Sequence, residues 1–401
     1  MASGTSSTTA LRVGDSGTVL LHLDFLVTGI VMTFLGPMLP ILAARWHIND
    51  AASGRLFLTQ FVSSMFGMFL SAPMVQRQGY KLTFMLGLVF MACGVSLLAS
   101  GPYWLGIIAV SILGIGHGIT TPAGNLRTAE VNPERSASAL NVINAVWGVG
   151  AMSPAFLISI ARHYQRPSWF LYGTSGLVVL LFVLFAVLPF ERDSHEEATP
   201  GHVAAASHLA WPMLMLISTL FFVYVGTETA FGQWVATYAH RMQPADKNFW
   251  TLMPAFFYGA MLAGRSSAPL ALRFVRERSV AKVGLSLAVL GGIALLRAHG
   301  VALIVAGSLF AGLGLASIFP ISVSLFPAWF GDKARQASGT VFASGNLGGA
   351  VLPWLVGVTS TYSGSLRAAF LVPLTGAASM LTFYFLDSSR RTHRVAVPYQ
   401  P

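Results

Sequence analysis

Twelve apolar stretches follow one another along this chain, at approximately 17–44, 52–75, 82–100, 104–126, 136–161, 168–188, 209–239, 248–272, 279–297, 300–326, 334–361 and 366–386. A helix crosses a bilayer with about 20 mainly apolar residues, so each stretch is a candidate span. Charged residues make up 9% of the chain, against about 25% in a soluble domain. The sequence therefore predicts an integral, all-α membrane protein embedded in a lipid bilayer. Several stretches exceed 25 residues, which predicts tilt or helical ends beyond the hydrocarbon. Their interiors are rich in Gly and Pro, as in packed membrane helices.

The net charge is +10, yet the basic residues are scattered over short loops. They read as topology determinants and not as a nucleic-acid surface. Cys93 is the one cysteine; it forms no intrachain disulfide and reads as a small core residue. No metal-ligand cluster, phosphate-binding loop or nucleophile elbow occurs, so no enzyme, cofactor or metal site is expected. The first apolar stretch is about twice the length of a signal-peptide core and contains Asp24. It is expected to be an uncleaved first span.

The connections are short except for the segment around Pro189–Ser207, which holds Glu191, Arg192, Asp193, Glu196 and Glu197. It divides the spans six and six. The expected organisation is an N-terminal tail (1–16), a first six-helix bundle (17–188), a central loop (189–208), a second bundle (209–386) and a C-terminal tail (387–401). With both termini cytoplasmic, fifteen Lys and Arg fall on inside segments and eight on outside ones, which favours that orientation. The halves also echo each other. Gly114-Ile115-Gly116 with Pro122 matches Gly312-Leu313-Gly314 with Pro320, and Arg135, Ser138 and Gly148 match Arg335, Ser338 and Gly348. Two six-span halves in weak parallel repetition describe the major facilitator architecture, whose substrate site lies at mid-membrane between the halves.

Polar residues inside such spans are costly, at about 2.5–3.5 kcal/mol for a central acid on insertion scales, and they mark function. Asp24 in span one is either interhelical glue or a proton carrier. Glu228 lies near the middle of span seven, as a proton or substrate ligand or as a neutral acid bonded to a neighbouring helix. In span five, Asn141, Asn144 and Gly148 share a face bordered by Trp147. Amides pair with sugar hydroxyls and an indole stacks on the apolar face of a pyranose. Hydrogen bonding between helices is the other reading. Gln60, Gln233, Trp234, Asn346 and Trp354 extend this candidate substrate set over spans two, seven and eleven. His117, among glycines in span four, is a packing residue or a proton relay. Arg265 in span eight is expected to gate by contacting a helix end or an acid.

Leu35-Gly36-Pro37-Met38-Leu39-Pro40, Leu140-Asn141 through Gly150-Ala151, and Tyr224-Val225-Gly226-Thr227-Glu228 through Tyr238 resemble the fucose/galactose/glucose:proton symporter branch of the major facilitator superfamily. Within that branch the chain is most similar to bacterial glucose/mannose:proton symporters. The resemblance implies a sugar-binding role for Asn144 and an acid role on helix seven for Glu228. It also implies proton-coupled hexose uptake by a monomer in the bacterial inner membrane, with sugar and protons as partners. The acids that the fucose permease carries in helices one and four fall on Gly36 and Ile119 here, so Asp24 with Glu228 would have to replace them. A proton-coupled drug or metabolite exporter on the same fold is the alternative. The glycine-rich run Gly148–Pro154 echoes the antiporter motif but lacks its Gly-Pro pair.

Overall fold

The structure, a computed structural model, describes residues 13–190, 211–242, 249–324 and 334–392. Most of the expected central loop and both tail ends lie outside the described residues. Every element among them is helical: α1 Val13–Thr33, α2 Leu35–Trp46, α3 Asp50–Leu98, α4 Tyr103–Val131, α5 Ser136–His163, α6 Ser168–Val187, α7 Trp211–Met242, α8 Met253–Ala271, α9 Glu277–Leu296, α10 Val301–Leu315, α11 Ile318–Ser324, α12 Ala334–Ser363, α13 Leu366–Ala369 and α14 Leu371–Thr392, with short 3-10 turns at Pro133–Arg135 and Phe249–Leu252. Helices satisfy their own backbone groups where no water is available.

Local chemistry sets the boundaries. Pro37 has no N–H to offer the Thr33 carbonyl, which interrupts α1–α2. The bonds Phe34 N to Ile30 O and Met38 N to Phe34 O, both 3.0 Å, carry the rod through. The Asn49 side chain caps α3 by accepting from the Ala52 N–H, and Asp50 occupies the first turn, where a carboxylate suits the positive helix end. The sequence predicts separate spans at 52–75 and 82–100. The structure divides them at Gly79, whose φ of 76° and ψ of 170° are not helical, so α3 consists of two limbs. Glycine alone adopts that backbone cheaply. The stretch expected at 300–326 is likewise divided, into α10 and α11.

Nine stretches among the described residues are long and apolar enough to cross a membrane, by length and composition. Counting the two limbs of α3 separately and adding α8 and α10–α11 gives twelve rods. They form two six-helix halves. In the first, α3 packs on α4 and α6, and α1 on α4 and α5; in the second, α7 packs on α12 and α14, and α10 on α8 and α9. The halves meet along α3–α12, α5–α8 and α2–α7.

Candidate functional site

The odd-numbered spans all run from the end that bears the chain termini toward the opposite end. That opposite end is sealed by contacts between the halves. Asp50 of α3 accepts hydrogen bonds from both terminal nitrogens of Arg241 on α7, Nη1 at 2.7 Å, and from Ser360 Oγ on α12 at 2.5 Å. The Ala51 N–H donates to Thr361 Oγ1 at 2.8 Å. A Cβ on Gly54 would lie 3.1 Å from Trp354 backbone atoms, which places Trp354 on this seam.

A mixed layer lies just inside this seal. Met32, Phe61 and Ala350 form a buried cluster against which Trp147 packs. It joins helices α1, α3, α5 and α12. Gln60 Nε2 donates to Met32 Sδ at 3.6 Å and Gln233 Nε2 to the Met32 carbonyl at 3.2 Å. The Oε1 atoms of both glutamines are buried without a partner. Trp234 is fully buried, its ring edge-on to Phe57 and its Nε1 donating to the Pro353 carbonyl at 2.8 Å.

Asn144 precedes Trp147 by three residues, Glu228 precedes Gln233 by five and Asn346 precedes Ala350 by four. At 1.5 Å per residue, the three polar side chains originate about 5–8 Å on the termini side of the layer. Asn144 Nδ2 donates to the Leu140 carbonyl at 2.7 Å, within its own helix. Asn346 Nδ2 donates to Phe342 O at 3.1 Å and to Met68 Sδ, across the halves, at 3.2 Å. Asn141 is exposed.

Glu228 is the centre of an ionic cluster. Tyr224, one turn earlier, donates its hydroxyl to Glu228. Arg265 Nη2 lies 3.3 and 3.4 Å from the two carboxylate oxygens and 3.3 Å from the Tyr224 hydroxyl. The side chains of Arg265 and Glu228 are 23% and 14% exposed, so the pair is neither wet nor fully enclosed. Leu262, one turn before Arg265, abuts Gly148 of α5: a Cβ there would lie 3.0 Å from Leu262 Cδ1. The ion pair of the second half therefore borders the seam that carries Asn144 and Trp147 on the first.

Two expected residues stand apart from this cluster. Asp24 is fully buried, and among the described residues neither carboxyl oxygen has a hydrogen-bond partner. It lies seven residues from Gly17, about 20° round the helix, and a Cβ on Gly17 would face Phe190. Asp24 thus projects into the first half. His117 has both ring nitrogens engaged by hydroxyls, Ser64 Oγ at 3.1 Å and Thr121 Oγ1 at 3.2 Å. It ties α4 to α3.

The sequence reading did not single out Asp50 or Tyr224 as site residues. Asp50 follows Asn49 at a helix start, so it reads as a capping acid. Its partners are 191 and 310 residues away, and no local pattern announces them. Tyr224 lies one turn from Glu228, so helical spacing could have flagged it.

Comparison with known proteins agrees with this architecture. The glucose/mannose transporter GlcP of Bacillus subtilis (strain 168) is 22% identical over 356 residues, covering 85% of this chain and 87% of that protein. A crystal structure of a bacterial homolog of the human lysosomal transporter Spinster, inward-facing and unoccupied, superposes with TM-score 0.76 at 13% identity, over 97% of this chain and 100% of that one. A D-xylose-proton symporter superposes with TM-score 0.73 at 14% identity, over 92% and 96%. These structural likenesses establish the fold. The family model of the Major Facilitator Superfamily matches residues 23–295, so the chain, with its two six-helix halves, belongs to that superfamily of transporters.

Proposed function

We propose that this protein carries a hexose, glucose- or mannose-like, together with protons, by alternating access between its two halves. The observation that carries this reading is the partly exposed Glu228–Arg265–Tyr224 cluster, whose Arg265 lies one turn from Leu262 on the α5–α8 seam. An intramembrane ion pair is retained where it lines a pathway. The neighbouring amide and indole suit a polyhydroxylated ring with an apolar face. GlcP, similar over most of both chains, is a glucose/mannose transporter, and a structural neighbour is a D-xylose-proton symporter.

In this reading Asn144, Trp147, Gln60 and Asn346 contact sugar, with Gln233 and Trp234 in the layer that closes over it and Trp354 on the seam beyond. Glu228 senses both sugar and proton, Arg265 gates by releasing Glu228, and Asp24 exchanges protons with the termini-bearing side. That side is taken as cytoplasmic, in a bacterial inner membrane. The expected boundaries at 17–188 and 209–386 delimit the moving halves.

The test is a solute panel in proteoliposomes with and without an imposed pH gradient. Hexose accumulation that requires the gradient is the expected result. Gradient-driven movement of hydrophobic drugs with no hexose uptake would replace this reading by the exporter.

A further inference from the structure

Tyrosines packed between helices in this protein commit their hydroxyls to a neighbour. Tyr103 donates to the Ala52 carbonyl, Tyr238 to the Leu295 carbonyl and Tyr224 to Glu228. Tyr258 of α8 differs. It is 5% exposed, and its ring stands edge-on to Phe257 with centres 5.2 Å apart. Its hydroxyl has no hydrogen-bond partner among the described residues. A buried phenol usually finds one, because leaving it unpaired is costly.

Helical spacing places this hydroxyl. Tyr258 precedes Arg265 by seven residues, so the two side chains leave α8 within about 20° of each other, with Tyr258 about 10 Å nearer the sealed end. On α7, Gly232 follows Glu228 by four residues, about 6 Å nearer the same end. The two helices thus face each other twice: Arg265 meets Glu228, and Tyr258 meets Gly232. A Cβ on Gly232 would lie 2.5 Å from the Tyr258 hydroxyl oxygen and 2.8 Å from its Cζ, so the glycine is the notch that admits the phenol. Tyr258 also interacts electrostatically with Glu228 and Arg265. The residue after Gly232 is Gln233, a member of the mixed layer. The phenol therefore stands between that layer and the ionic cluster.

We infer that Tyr258 is a specificity-determining residue, whose hydroxyl pairs with one hydroxyl of the transported solute at the end of the site nearest the sealed layer. The assignment deepens the proposed function and rests on it for a hydroxylated solute. A phenol both donates and accepts, so it matches a sugar hydroxyl in either sense. A solute without that hydroxyl leaves the phenol unpaired, and a site built to bond a hydroxyl rejects such an analogue for that reason. Phenylalanine would fill the same notch, so the oxygen is what calls for a ligand.

The experiment compares wild type with Tyr258→Phe, which keeps the ring and removes one oxygen, in proteoliposomes without a pH gradient. Glucose and its monodeoxy analogues, one for each hydroxyl, compete against exchange of labelled glucose. Wild type should bind one analogue about tenfold more weakly than glucose, the size of one neutral hydrogen bond. Tyr258→Phe should weaken glucose by the same factor and bind that analogue as wild type does, with the ratios for the other analogues unchanged. Equal weakening of glucose and every analogue would mean that the phenol only packs α8 on α7, and unchanged glucose affinity that it touches no solute; either result overturns the inference. Failure of the hexose reading shows separately, in wild type, as no exchange of glucose or mannose. The comparison is then made with the solute that is carried and its analogues lacking one hydroxyl each, and a carried solute without hydroxyls overturns both readings.

Discussion

The α7–α12 seam lies inside one half and the α5–α8 seam lies between halves. The first is built backbone against backbone. Gly348 faces the Phe222 carbonyl so closely that a Cβ could not be accommodated, and a Cβ on Gly226 would meet the Gly348 carbonyl at 2.7 Å. The second is built side chain against backbone. Gly148 faces the end of Leu262, and Gly259 faces the flexible tip of Met152 at 3.1 Å. Small residues let membrane helices approach closely. Where that approach is backbone to backbone, sliding requires whole helices to separate. Where it ends on a Leu or Met tip, rotamer changes absorb displacement. The contrast makes the α7–α12 pair a rigid unit and the α5–α8 seam a bearing.

The sharpest challenge is Gly348→Val. It should destabilise the folded protein by on the order of 3 kcal/mol, the upper range for overpacking a tight contact, read as thermal unfolding of the purified protein. A neutral result would dissolve the distinction between the two seams. Glu228→Gln comes next. It leaves the partly buried Arg265 charge unpaired beside the bearing, and should weaken sugar binding by about 2 kcal/mol, or roughly thirtyfold. Unchanged affinity in a binding assay would move the site away from α7.

Asp24 tests the interior of the first half. Its buried carboxyl lacks a partner, a cost of about 1–3 kcal/mol. Asp24→Leu should therefore raise stability by about that much, while Asp24→Asn should abolish proton-driven accumulation and leave sugar exchange intact. Accumulation that survives Asp24→Asn in a pH-jump experiment would show that the carboxyl carries no coupled proton. Trp234→Phe removes the bond to Pro353 and should cost about 1 kcal/mol, measured again by thermal unfolding. Smallest of all, Gly148→Ala should cost under about 0.5 kcal/mol, because only a Leu262 methyl must give. A loss as large as that from Gly348→Val would mean that the α5–α8 seam is as fixed as the α7–α12 seam.

The sequence by itself determined the solvent and the element type. Apolar runs of bilayer length admit helices, the repeat across the midpoint divides them six and six, and the intramembrane acids and amides draw attention to particular helices. These are properties of composition and period, and they need no knowledge of distant contacts. Only the tertiary structure decided which polar groups meet. Arg265 finds Glu228, 37 residues away, because α7 and α8 pack side by side. Asn144 instead bonds its own helix. Gln233 and Trp234 go into the sealed layer. Asp24 and Glu228, similar as isolated acids in apolar helices, end in opposite circumstances: one alone inside a half, the other paired at a seam. The direction a helical side chain faces follows from its position in the period, but what stands opposite depends on helices hundreds of residues away. The sealing of one end by Asp50, Arg241 and Ser360 was therefore decided by packing.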